Sequence, residues 1–150
     1  MSERSTEHGT FVIERTYAAQ PERVFRAFAS SEEKAKWFGP PQDSGGNELD
    51  FRVGGQERFA AEGPDGANYR YCALYQDIVP AERIVYTYEM YRGDDRISVS
   101  VSTIELRPAP SGTDLTYTEQ GVYLDGHDEP GQREHGTRVG LERLDAALES

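Results

Sequence analysis

Tyr69, Tyr71, Tyr75, Tyr86 and Tyr88 recur on two strand-like runs, and Glu119 and His135 are the acid and imidazole that could join them. A tyrosine offers a ring face and a hydroxyl, so a set of them suits the wall of a small-molecule pocket. The same residues also suit ordinary strand packing, because aromatics are favoured in sheets. A carboxylate such as Glu119 in an apolar cavity has its pKa raised, which is what a general acid or base requires. The segment HDEPGQREH gathers His127, Asp128, Glu129, Glu134 and His135, all of metal-ligand type. No two histidines fall at the i, i+4 spacing of a zinc-binding helix, and a flexible acidic loop explains the same residues. Cys72 lies in a strand-like run with no charged helix terminus beside it, as expected of a buried, inert thiol. GxSxG, Walker, dinucleotide and CxxC motifs are absent, so no catalytic residue, metal or cofactor is assigned.

These residues need elements to hold them. Residues 1–9 are polar and expected to form a mobile N-terminal segment, ahead of a single domain over 10–150. TFVIERTY predicts a first strand at about 10–18. Pro21 suits the first turn of a helix whose apolar face is Val24, Phe25 and Phe28, and Ser30 with Glu33 forms a capping-box spacing for a second helix from Ser31. That helix is expected to carry Ala35 and Phe38 on one side and to stop at Gly39-Pro40, leaving Trp37 and Phe38 at its exit. Pro40-Pro41 and Ser44-Gly45-Gly46 predict a loop. Leu49, Phe51 and Val53 then alternate as a strand that pairs with one carrying Phe59, which ends in the turn at Gly63-Pro64-Asp65-Gly66.

Tyr69, Tyr71, Ala73 and Tyr75 share one face of the next strand, and Ile84, Tyr86, Tyr88 and Met90 one face of its successor. The apolar phase of RISVSVSTIELRP switches from odd to even positions, predicting a bulge near Ser102-Thr103. A second phase change is expected at Gly121 in the last strand. Residues 125–132 are expected to be loop, followed by an amphipathic helix carrying Val139, Leu141, Leu144, Ala147 and Leu148. Short connections and one long helix give an antiparallel α+β domain of two layers.

Acidic residues outnumber basic ones 27 to 16, a formal charge of -11 that repels phosphate backbones and anionic lipid surfaces. A lone cysteine, no apolar stretch of membrane length and no signal-peptide core point to a cytoplasmic protein.

Several short motifs follow one another in a specific order: Arg15-Thr16-Tyr17, Pro21-Glu22-Arg23-Val24-Phe25, Trp37-Phe38-Gly39-Pro40, Phe51-Arg52-Val53-Gly54-Gly55, Pro64-Asp65-Gly66, Ile78-Val79-Pro80 with Ile84-Val85-Tyr86-Thr87, and Gly112-Thr113. In this order the chain resembles the START-like, or SRPBCC, superfamily, and within it the bacterial homologues of the heat-shock-protein-90 ATPase activator C-terminal domain. The resemblance implies a helix-grip fold, in which a bent seven-stranded antiparallel sheet grips the C-terminal helix, two short helices plug one end, and a cavity lies between. Such proteins often carry Gly-Trp near the start of the last helix, whereas this chain has Gly136-Thr137, which would enlarge or rehydrate the cavity mouth.

The function expected first is binding of a small lipophilic or aromatic molecule without transforming it, by Trp37, Phe38, Phe59, Tyr71, Tyr86, Tyr88, Glu119 and His135. The partner is then that small molecule, with neither nucleic acid nor membrane insertion, and a homodimer is allowed. One alternative is a cyclase- or hydrolase-type enzyme using Glu119 with His135 or a tyrosine pair. Another is an interaction module resembling the co-chaperone domain, working through the outer sheet face.

Overall fold

A computed structural model describes residues 4–38, 48–63 and 65–149. The predicted stop at Gly39-Pro40, the loop of Pro40-Pro41 and Ser44-Gly45-Gly46, and Pro64 of the turn lie outside the described residues. In chain order the elements are β1 (Thr6–Tyr17), α1 (Pro21–Ala29), α2 (Ser31–Lys34), β2 (Glu48–Leu49), β3 (Gln56–Glu62), β4 (Asn68–Val79), β5 (Arg83–Arg92), β6 (Asp95–Ala109), β7 (Gly112–Leu124) and α3 (Pro130–Leu148). The strands make one antiparallel sheet in the order β1-β7-β6-β5-β4-β3-β2, so the first strand is hydrogen-bonded to the last. With α3 laid on the inner face, this is the α+β helix-grip arrangement.

Pro21 opens α1 where a missing N–H costs nothing, and Val24, Ala27 and Phe28 turn inward. Ser30 caps α2 by accepting from the Glu33 backbone N–H at 3.3 Å, as the spacing predicted, but α2 is a single turn whose buried residue is Lys34. Trp37 follows it, donating from Nε1 to the Ala27 carbonyl at 3.0 Å and meeting Phe28 edge-on at 4.8 Å, which ties the two helices together. At the far end Leu141 and Leu144 are buried on α3, and the Tyr17 hydroxyl donates to the Leu141 carbonyl at 2.8 Å.

Six local expectations need correction. β1 begins at Thr6, because Thr6 to Gly9 pair with Leu124 to Gly121 of β7 despite their polarity. The strand expected through Val53 stops at Leu49, since Gly54 at φ +85° and Gly55, whose Cβ would strike the Asp50 carbonyl, turn the chain early. In β6 no bulge occurs at Ser102-Thr103, where pairing with β5 and β7 is unbroken. The extra residue is Ile97 at the start of the strand, and from there the inner face is even-numbered: Ser98, Ser100, Ser102, Ile104, Leu106. Three inward serines made the outward Val99 and Val101 look like the core phase. Nor does β7 change phase at Gly121, since Leu115, Tyr117, Glu119 and Tyr123 all point inward in one register. Finally, α3 starts at Pro130, inside the expected loop, and its start lies so close to β1 that a Cβ on Gly9 would collide with the Pro130 ring. Cys72 is half-buried rather than buried, on the outer face between Arg58 and Glu89.

Candidate functional site

The inward tyrosines of β4 and β5, the α2 exit and the N-terminal half of α3 line a cavity of about 430 Å³ that is partly open to solvent. Its walls are mostly rings. Phe38, Phe59, Tyr71 and Tyr88 form a run of contacts, with Phe59 stacked on Tyr71 at 4.8 Å and Tyr71 tilted to Tyr88 at 5.1 Å. Across from them α3 offers Gly136, Thr137 and Gly140, and a Cβ on either glycine would meet nothing within 4 Å. Small residues on one helix face thus leave room where larger ones would fill it. Thr137 itself bonds back to the Arg133 carbonyl at 3.0 Å.

Three charged groups, Lys34, Arg133 and Asp128, also line the cavity. Lys34 from α2, 5% exposed, donates to Glu57 of β3 at 2.7 Å and to the Tyr75 hydroxyl at 3.3 Å, with its ammonium 4.4 Å from the Phe38 ring centre. Arg133 from α3 donates to Asp128 at 2.7 Å, to the Tyr88 hydroxyl at 2.8 Å and to Ser98 at 2.9 Å, and lies over Tyr123. Burial works against its charge, but Tyr88, Asp128, Tyr123 and Glu119 outweigh it and raise its pKa.

Glu119, 1% exposed, stands behind this wall rather than in it. Its oxygens accept from Tyr88 at 2.8 Å, Ser102 at 3.0 Å and Tyr117 at 3.1 Å, and the Arg133 guanidinium is 3.9 Å away. Desolvation raises its pKa above the ordinary 4.5, opposed by those hydroxyls and by Arg133. An acid whose folded pKa exceeds its unfolded one holds its proton more tightly when folded. Its contribution to stability is therefore full below pH 4.5 and is lost as pH rises through the folded value. Compared with Glu119→Gln, the wild type should lose stability as pH rises above about 4.5, until the carboxyl is ionised in the folded protein as well. Urea unfolding of both proteins from below pH 4.5 to neutral pH checks this, and a constant difference would contradict it.

Of the residues singled out in the sequence, Trp37, Phe38, Phe59, Tyr71, Tyr86 and Tyr88 line the cavity, and so do Tyr69, His127 and Asp128. Glu119 does not, reaching it only through Tyr88 and Tyr117. His135 is a correction: it is exposed on α3 and does not line the cavity, so it is not brought to Glu119. Helical geometry turns position 133 inward instead. In the HDEPGQREH segment Asp128 is held by Arg133 and Glu134 by Arg138, and among the described residues no three His, Cys, Asp or Glu side chains converge as a metal site would require. Sequence reasoning missed Lys34, Glu57, Ser102, Tyr117 and Arg133. Tyr117 had a usable signal, being two residues before Glu119 and hence on the same face of a strand. The other four look like solvated polar positions until the fold is known.

Residues 18–149 match the family described as Activator of Hsp90 ATPase homolog 1-like protein. A solved structure of a Rhizobium leguminosarum protein is 45% identical, with a TM-score of 0.93 and 99% of each chain covered. One from Rhizobium loti is 46% identical, with a TM-score of 0.90 over 95% of this chain and 99% of that one. A Chromobacterium violaceum protein is 32% identical, with a TM-score of 0.75 over 94% and 98%. No curated protein matches the chain.

Proposed function

The chain belongs to the Activator of Hsp90 ATPase homolog 1-like family, and from that premise we propose that it binds a small lipophilic, ring-bearing molecule between sheet and α3 without transforming it. The supporting observation is the cavity of about 430 Å³, within the range of small-molecule sites, walled by aromatic faces and by charges already paired within the protein. Catalysis by Glu119 has less support, because the carboxylate is screened from the cavity by the Tyr88 and Tyr117 hydroxyls it binds. An interaction surface on the outer sheet face has less support too. Val12 and Leu74, its exposed large apolar side chains, stand on separate, non-adjacent strands among ion pairs such as Arg83–Asp77 and Arg96–Glu89.

Trp37 supplies the test. It lines the cavity while its Nε1 is held by Ala27, so a ligand packing on its ring changes its surroundings without releasing the anchor. Titration with neutral aromatic compounds should raise the melting temperature and shift the emission of this single indole together. Thr137→Phe, which places a ring in the open space under α3, should abolish both responses while the protein stays folded. Native mass spectrometry of the freshly purified protein would reveal any co-purified ligand. A panel that moves neither readout removes the binding proposal.

A further inference from the structure

The hydroxyls around Glu119 carry a direction. A carboxylate anion has no proton to give, and three hydroxyls with a guanidinium close by are the surroundings it requires. Tyr88 spends its one proton on Glu119 and accepts from Arg133. Tyr117 spends its proton on the same carboxylate and on Ser102, which in turn donates to Glu119. With that proton committed, Tyr117 accepts from Tyr86, 3.0 Å away. Tyr86 lines the cavity, and beyond its contacts with Tyr117 and Ser102 its hydroxyl, whose one proton goes to Tyr117, keeps lone-pair capacity to accept.

Tyr71 lines the same cavity and is 3% exposed, yet among the described residues its hydroxyl has no hydrogen-bond partner. An enclosed hydroxyl left unpaired is costly, and no described residue relieves it. Burial first, and then the neighbouring Tyr86, keep the proton on Tyr71. The cavity's charges, in contrast, are satisfied: Lys34 by Glu57, and Arg133 by Asp128 with Glu119 behind. An ionic ligand would lose its hydration and find no unpaired countercharge.

We infer that the cavity selects a neutral, flat aromatic molecule bearing a hydroxyl, which donates to Tyr86 and accepts from Tyr71. This rests on the binding function proposed above and adds its selectivity. The O-methylated analogue, which cannot donate, and the carboxylate analogue, which brings an unmatched charge, are both disfavoured.

The test uses the full chain at neutral pH and three probes of one shape: 4-phenylphenol, 4-methoxybiphenyl and biphenyl-4-carboxylate, each titrated by calorimetry. The phenol should bind about tenfold more tightly than the ether, with the carboxylate weakest. Tyr86→Phe and Tyr71→Phe, checked for folding by circular dichroism, should each pull the phenol towards the ether while leaving the ether's affinity unchanged. Equal binding of phenol and ether by the wild type, tightest binding of the carboxylate, or a phenol preference that survives in both variants would each overturn the inference. If all three probes bind alike, the selectivity falls and the binding function stands; if none binds, both fall. The wild-type comparison decides even if a variant fails to fold.

Discussion

Glu57→Leu is expected to destabilise the protein by about 3–5 kcal/mol, more than a surface ion pair could account for. Lys34 and Glu57 are each 5% exposed, and their 2.7 Å contact lies among Phe38, Tyr75 and Tyr86. Removing the carboxylate leaves an ammonium in apolar surroundings with the Tyr75 hydroxyl and ring faces in place of a countercharge. The loss is therefore mainly the cost of an uncompensated charge, not the worth of the bond. A second variant separates the two: Lys34→Met with Glu57→Leu removes both charges, and should recover most of the stability lost in the single variant. Urea unfolding of the wild type, the single and the double variant makes the comparison. If the double variant is no more stable than Glu57→Leu, the charge argument is wrong and packing of the Lys34 stem matters more. The destabilisation should also vary little with salt, because a buried pair is poorly screened.

Leu144→Ala is expected to cost about 2–5 kcal/mol. Leu144 is fully buried, one turn after Leu141 on the part of α3 that grips the sheet. The N-terminal half of α3 faces the cavity through glycines and Thr137, so little apolar packing holds the helix there. Its attachment falls on Leu141, Leu144, Ala147 and Leu148, together with the Tyr17 bond to the Leu141 carbonyl. Thermal and urea unfolding measure the loss. A change below about 1 kcal/mol would mean that α3 is held mainly by Arg133 and its polar partners.

Both predictions stand on residues of unequal legibility. Leu144 could be read from helical spacing alone, as could Val24 and Phe28, because an amphipathic period reports which face meets a core. Lys34 could not. In SEEKAKW it reads as a solvated face, and only the arrival of β3 with Glu57, 23 residues on, makes burial of that ammonium tolerable. The Ser98, Ser100 and Ser102 row misled in the same way. Short hydroxyl side chains mark a polar face in a lone strand, yet here they sit inward, Ser102 donating to Glu119 and Ser98 accepting from Arg133.

By itself the sequence determined the element types, the antiparallel connections and the tyrosine faces of β4 and β5. These follow from local rules: a period of two or 3.6, a proline at a first turn, a short connection between strands. It also determined that His127 and His135 lack the spacing of a zinc-binding helix. Only the tertiary structure decided which polar groups meet. Arg133 reaches Tyr88 across 45 residues of chain and Tyr86 reaches Tyr117 across 31, and no local pattern encodes such pairs. A buried polar group is stable only with its partner in place, so its position is set by the assembled sheet and helix rather than by its neighbours in sequence. That is why His135, chosen for its chemistry, lies outside the cavity, while Arg133, two positions earlier, forms part of its wall.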